Sequence, residues 1–258
     1  MARVFALLCG ALLLSGGAWA SDGPRPEDHE FNPNMPAQLL GHDETLKTAD
    51  GTSFRAYVTG DPKARRGILL VHEWWGLNDH IRAWADRFAH MGYRAVAVDL
   101  YGGKSTSDPK VAGQLMKSVD QAVADTKLKA ALESLKAPGR KLATIGWCFG
   151  GGQSLRATLQ DPAAVSATVI YYGHLITDEN TLKTLHGPVL GIFAEKDAWI
   201  SPDKVAAFET AMVKAGKAVE VHSYWADHAF ANPSGERYNG LAAREAWAVV
   251  KQFLDRSL

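Results

Sequence analysis

The sequence predicts an α/β fold: a mainly parallel sheet with helices on both faces. Three observations support this. Short apolar runs rich in β-branched residues recur along the chain, and longer amphipathic stretches separate them, the pattern of parallel strands joined by helical crossovers. The 258 residues are 47% hydrophobic and 22% charged, enough apolar material for one sizeable core in one domain. No internal repeat or low-complexity tract interrupts the alternation.

Residues 1–20 read as a secretory signal peptide. Arg3 precedes an apolar run from Val4 to Leu14 that is too short to cross a bilayer, and Ala18-Trp19-Ala20 follows. The small side chains of Ala18 and Ala20 place the expected cleavage after Ala20, so a periplasmic or secreted protein with no membrane association in its mature form is expected. Cys9 does not mark a lipoprotein, because Leu8 before it is too bulky for that processing site. Residues 21–43 hold prolines and acidic residues without an apolar period and read as an extended leader, which leaves 44–258 as the folded domain.

Within the domain, two alternating stretches between Glu44 and Thr59 flank Asp50-Gly51, a hairpin signal with type I′ turn chemistry. Further strands are predicted at 67–72, 94–99, 141–146, 167–171, 189–194 and 218–224. Helices are predicted at about 79–91, 108–136, 150–160, 178–185, 202–215 and 235–256. Asp108-Pro109 and Ser201-Pro202 each put a capping side chain before a proline at the first helical position.

Lysine plus arginine and aspartate plus glutamate both number 28, so net charge points to neither nucleic acid nor an anionic membrane surface. The histidines lack zinc-ligand spacing, and no Gly-x-Gly-x-x-Gly or phosphate-binding loop is present. No metal and no cofactor are expected. Oligomeric state is not legible; a monomer is the working expectation.

Once the signal is removed, Cys148 is the only cysteine and cannot form a disulfide within its chain. It sits in Ile145-Gly146-Trp147-Cys148-Phe149-Gly150-Gly151-Gly152, after an apolar strand and at the start of a helix. Glycines two residues to either side suit a strand that turns sharply into a helix, because Cβ atoms there would meet the opposing backbone. Such a turn thrusts Cys148 out at the carboxyl edge of the sheet. The helix amino terminus points at the sulfur and favours a thiolate, and the Phe149 amide becomes an oxyanion donor. A nucleophile needs a base, and the base needs an orienting acid. Asp197 follows the strand at 189–194 and His228 follows the strand at 218–224, so both lie in loops at the same edge, in the order nucleophile, acid, histidine. Glu195 and Asp227 are neighbouring acids less well placed.

Val71-His72-Glu73-Trp74-Trp75-Gly76, Asp99-Leu100-Tyr101, Gly146-Trp147-Cys148-Phe149-Gly150-Gly151, Tyr171-Tyr172-Gly173 and His228-Ala229-Phe230 occur in this order. With them the chain, from about residue 45 to its end, resembles the dienelactone hydrolase family of the α/β-hydrolase superfamily. The resemblance implies a Cys148-His228-Asp197 triad, Glu73 beside the resting thiol as a partner in its activation, and Trp74 as the second oxyanion amide. It also exposes a departure. The family's substrate-holding arginines fall at Gly103 and Asn232 here, which removes a bidentate carboxylate contact. Lys104 offers only a point charge. Trp74, Trp75, Tyr101, Phe149, Trp199 and Phe230 suggest an apolar pocket instead.

The expected reaction is hydrolysis of a small-molecule ester or lactone through a thioester on Cys148. The rival readings are a non-catalytic ligand-binding protein on the same scaffold and a thiol redox sensor, the latter lacking a resolving cysteine.

Overall fold

The computed structural model describes residues 39–258, so the expected signal peptide and all but the end of the expected leader lie outside the described residues. The strands are β1 (His42–Lys47), β2 (Ser53–Thr59), β3 (Arg66–Val71), β4 (Tyr93–Val98), β5 (Lys141–Trp147), β6 (Val165–Tyr171), β7 (Val189–Ala194) and β8 (Val219–Tyr224). The helices are α1 (Asp79–His90), α2 (Pro109–Lys117), α3 (Gln121–Leu135), α4 (Phe149–Gln160), α5 (Glu179–Leu182), α6 (Pro202–Lys214) and α7 (Gly240–Ser257). All eight strands form one sheet in the order β1-β2-β4-β3-β5-β6-β7-β8, antiparallel at β1–β2 and β2–β4 and parallel from β4 onward.

Strand periodicity divides the core between two faces. Along β3, Ile68 and Leu70 join a cluster with Trp84 and Phe88 of α1 and Trp247, Val250 and Phe253 of α7. Leu69 and Val71 point the other way, against Leu128, Leu132 and Leu135 of α3. Leu155 of α4, Val205 and Phe208 of α6 and Ile170 and Phe193 of the sheet extend the second face. Each such fully buried side chain contributes about 2 kcal/mol, and β3 and β5 at the centre are buried on both sides, which is why they read as unbroken apolar runs. No helix of the described residues is long and apolar enough to cross a membrane.

Several expected boundaries shift for identifiable reasons. β1 starts at His42, before the expected boundary at Glu44, because Asp86 accepts from the Leu40 amide and the Tyr57 hydroxyl accepts from the Gly41 amide. These bonds fasten the end of the expected leader to the domain. The hairpin turn is not type I′: Gly51 donates to Thr48 O, Asp50 accepts from Thr48 Oγ1 and Thr52 N, and Gly51 alone of the turn has positive φ. The expected helix over 108–136 is two helices. Asp120 ends the first run by capping the second, accepting from the amides of Ala122 and Val123 at 2.9 and 3.2 Å. Asp108 caps α2 as expected, whereas Ser201 stands at the start of α6 without a side-chain cap bond. α5 is a single turn, and α7 begins at Gly240 behind an Asn239 cap because residues 235–239 are spent on turns.

Asp120→Ala leaves two exposed α3 amides without their acceptor and should lower stability by about 1 kcal/mol. A urea denaturation midpoint unchanged from the parent would contradict the capping role.

Candidate active site

The site is built where β5 runs out. Trp147 ends the strand, Phe149 starts α4, and Cys148 makes the whole turn alone, at φ 55° and ψ −119°. Positive φ is uncommon for a residue with a Cβ and costs of order 1–3 kcal/mol, so surrounding structure must impose it. Here Cys148 N donates to Tyr171 O at 3.0 Å, and the flanking glycines let the backbones close up. A Cβ at Gly146 would stand 2.0 Å from Gly150 O, and one at Gly150 would stand 2.2 Å from Val71 O. The two glycines are therefore a steric requirement of the turn.

Enclosure decides the charge of the thiol. Burial, and then the nearby Glu73 carboxylate, push Cys148 up to about 12, while the backbone N–H groups of Phe149 and Trp74 act on the sulfur in the opposite direction. The two expected amides are thus both at the sulfur. Helix terminus and amides favour a thiolate, but desolvation and Glu73 outweigh them and favour a neutral resting thiol.

Asp197 and His228 meet as their positions predict. His228 Nδ1 donates to Asp197 Oδ2 at 2.6 Å, and Asp197 Oδ1 accepts from the amides of Trp199 and Ile200 at 2.8 and 2.9 Å. Burial raises the Asp197 carboxyl, yet the His228 bond and those amides outweigh it and hold the group below its ordinary range. The carboxylate thereby fixes which imidazole nitrogen carries the proton. Asp197 also lies near enough to Cys148 for its charge to be felt at the sulfur. Glu195 and Asp227, the alternative acids, are exposed.

Behind the thiol, Glu73 is 3% exposed and its Oε2 accepts from Asn232 Nδ2 at 2.5 Å. Desolvation raises its carboxyl to about 7, with the Asn232 bond pulling the other way. Asn232 therefore holds an internal carboxylate, and as a neutral donor it cannot force that carboxylate to stay ionised as a guanidinium would. The loop bearing Glu73 is pegged by buried His72, whose Nδ1 donates to Glu73 O at 2.6 Å and whose Nε2 accepts from Leu100 N at 3.2 Å. Burial lowers the His72 pKa, which keeps the ring neutral for this double duty.

The aromatic residues divide. Tyr101 is buried against His72 and Phe149, and burial, then the charge of Cys148, raises its hydroxyl. Trp74 and Trp75 are half-buried with ring centroids 4.8 Å apart. Trp199 is 57% exposed and stands edge-on to His228 at 5.1 Å. Phe230 does not line the pocket: it is fully buried in the core between Tyr172 and Tyr224. Alternation in its loop explains this, since His228 turns outward and Ala229 takes positive φ. Sequence reading did not single out Tyr172, which takes positive φ, packs on His228 at 5.2 Å and feels the charges of Glu73 and Cys148. Glu73 Oε1 and the Tyr101 hydroxyl are buried without a hydrogen-bond partner, and Glu73, Tyr101 and Tyr172 each interact electrostatically with Cys148.

At position 103 the backbone packs against Arg55. Gly103 has φ +88°, and a Cβ there would lie 2.0 Å from Nη2 of Arg55, whose Nε is 3.8 Å from Asp99 Oδ2. Among the described residues, no group of three or more His, Cys, Asp or Glu is arranged to hold a metal ion.

Comparison with known proteins bears on the family and the fold. Residues 54–258 match the dienelactone hydrolase family. A provisionally named carboxymethylenebutenolidase of Saccharolobus solfataricus is 28% identical over 83% of this chain and 98% of its own. Protein usf of Aquifex pyrophilus is 30% identical over 81% of this chain and 96% of its own. A Klebsiella pneumoniae structure provisionally named as a dienelactone hydrolase superposes with a TM-score of 0.69 at 25% identity, covering 83% of this chain and 98% of that one. With an eight-stranded α/β-hydrolase sheet, a thiol on its strand–helix turn and a family match across nearly the whole described chain, this protein belongs to the dienelactone hydrolase family.

Proposed function

We propose that this chain is an exported hydrolase that cleaves an ester or lactone with Cys148 as nucleophile. The observation that carries the reading is the strained turn that presents Cys148 to two backbone amides while His228, held by Asp197, stands at the same sheet edge. Export rests on the amino-terminal pattern of residues 1–20.

Attack of the sulfur on the substrate carbonyl places the developing oxyanion near the Phe149 and Trp74 amides, which cost nothing to reorganise because the fold already aims them. His228 takes the thiol proton and passes it to the departing alkoxide, leaving a thioester and a free alcohol, or a single ring-opened product from a lactone. A water molecule deprotonated by His228 then attacks the thioester, releases the carboxylic acid and restores the thiol. Asp197 keeps the imidazole in the tautomer this sequence requires.

Glu73 has a specific place in this scheme. Its carboxyl is poised at about 7, so near neutrality it is able to hold a proton beside the sulfur and to release one as its surroundings change. A neutral resting thiol also protects Cys148 from oxidation, since the thiolate is the reactive form.

Cys148→Ala should reduce turnover of p-nitrophenyl acetate by at least about a thousandfold. Equal rates for variant and parent would contradict the assignment. Glu73 makes a second prediction through linkage. Its folded-state value lies near 7 against an ordinary 4.5, so between those values the folded chain keeps a proton that the unfolded chain has released. Stability therefore declines as pH rises through that window. Measured by chemical denaturation at about pH 5 and about pH 8, Glu73→Gln should decline less than the parent; equal declines would show that Glu73 does not titrate there.

A further inference from the structure

We infer that the cleft between α2 and α3, floored by Tyr101, holds the apolar chain of the substrate, so that this protein prefers neutral esters of medium-chain acids over acetate esters. The inference rests on the hydrolase reading above and names its substrate class.

The cleft exists because the helical run over 108–136 is broken. α2 ends at Lys117, α3 starts behind the Asp120 cap, and the space beside the break opens over Leu100 and Tyr101. Leu100, Tyr101 and Ala124 are buried and form its floor. Leu115, Val119 and Lys127 are half-buried along its walls, and Lys104, Ser118 and Asp120 are exposed at its edge. An apolar floor under a polar edge suits a hydrocarbon chain. The space measures about 280 Å³. At roughly 30 Å³ for a water-sized group, it takes a chain of roughly eight or nine methylene-sized groups.

Three contacts join this cleft to the thiol. Tyr101 lines the cleft and lies near enough to Cys148 to feel its charge. Phe149, whose amide acts on the sulfur, has its ring centre 5.6 Å from that of Tyr101 and packs on the same apolar cluster as Leu115 and Val119. Trp74, source of the second amide, turns its indole toward α2, where a Cβ on Gly113 would stand 4.0 Å from Trp74 Cζ3. A carbonyl held by those two amides therefore starts its chain one side chain away from the cleft.

Two further features are those of a site completed by its ligand. The Tyr101 hydroxyl is buried without a hydrogen-bond partner, an unfavourable state that an ester oxygen arriving with the substrate relieves. α2 is thinly held: of its residues only Ala112 is buried, which leaves the helix free to adjust over a chain beneath it. Val123 of α3, at the same cleft, is 45% exposed, and a bound chain removes its apolar surface from water together with that of Leu115 and Val119.

Two measurements test this. First, kcat/KM is compared for p-nitrophenyl octanoate and p-nitrophenyl acetate in the parent, Val123→Trp and Leu115→Trp. The parent should favour octanoate by at least roughly tenfold. Each variant puts an indole into the cleft, one from α3 and one from α2, and should lower the octanoate-to-acetate ratio by roughly tenfold. Second, calorimetric titration with 1-octanol should show binding to the parent that weakens by a similar factor in Val123→Trp. A parent that prefers acetate, or a ratio unchanged in both variants with unchanged octanol binding, overturns the role of the cleft and leaves the hydrolase reading standing. Failure of the parent to hydrolyse either ester overturns that reading instead, and the octanol titration still decides the cleft.

Discussion

The site depends on one constraint: Cys148 must hold a positive φ between a strand and a helix that nearly touch. Gly146 and Gly150 make this possible by leaving no Cβ where Gly150 O and Val71 O approach, and the bond from Cys148 N to Tyr171 O locks it. Everything at the sulfur follows from the turn. It brings α4's first amide to the sulfur, sets the sulfur against the Trp74 amide across β3, and places it between the Glu73 loop and the loops bearing Asp197 and His228. The strain is borne by a rigid surround, since β3, β5 and β6 are packed on both faces.

That surround also sets the charge of the site at rest. Enclosing Cys148 and Glu73 together makes two ionised groups expensive, so the thiol stays neutral and the carboxyl titrates near neutrality. The choice of Asn232 as Glu73's partner matters here. An amide satisfies one carboxylate oxygen without adding charge, whereas a guanidinium would hold the carboxylate ionised. Asn232 thus leaves the charge of the internal acid to be set mainly by its burial.

Much of this was legible from the sequence because the signals are local. Alternating strands and helices, the glycine-flanked cysteine, and an acid and a histidine after successive strands all reflect spacing along the chain, and the fold places them as that spacing predicts. What escaped is what packing decides. The break at Asp120 lay hidden inside an apolar period that ran across it. Phe230 looked like a pocket residue because it follows His228 closely, yet the positive φ of Ala229 turns it into the core. The helix terminus and amides that favour a thiolate are visible in sequence, whereas the depth of burial that opposes it is not. Arg55 against Gly103 and Arg237 on Trp199 join segments far apart in the chain or separated by turns that no motif announces.

The most direct test of Cys148 as nucleophile is to trap what it forms. Acid-quenching the reaction with p-nitrophenyl acetate at short times and mapping the adduct by peptide mass spectrometry should find an acetyl group on the Cys148 peptide, labile to hydroxylamine as a thioester is. Turnover without any acyl group on that peptide, or with the group on another side chain, would contradict the account.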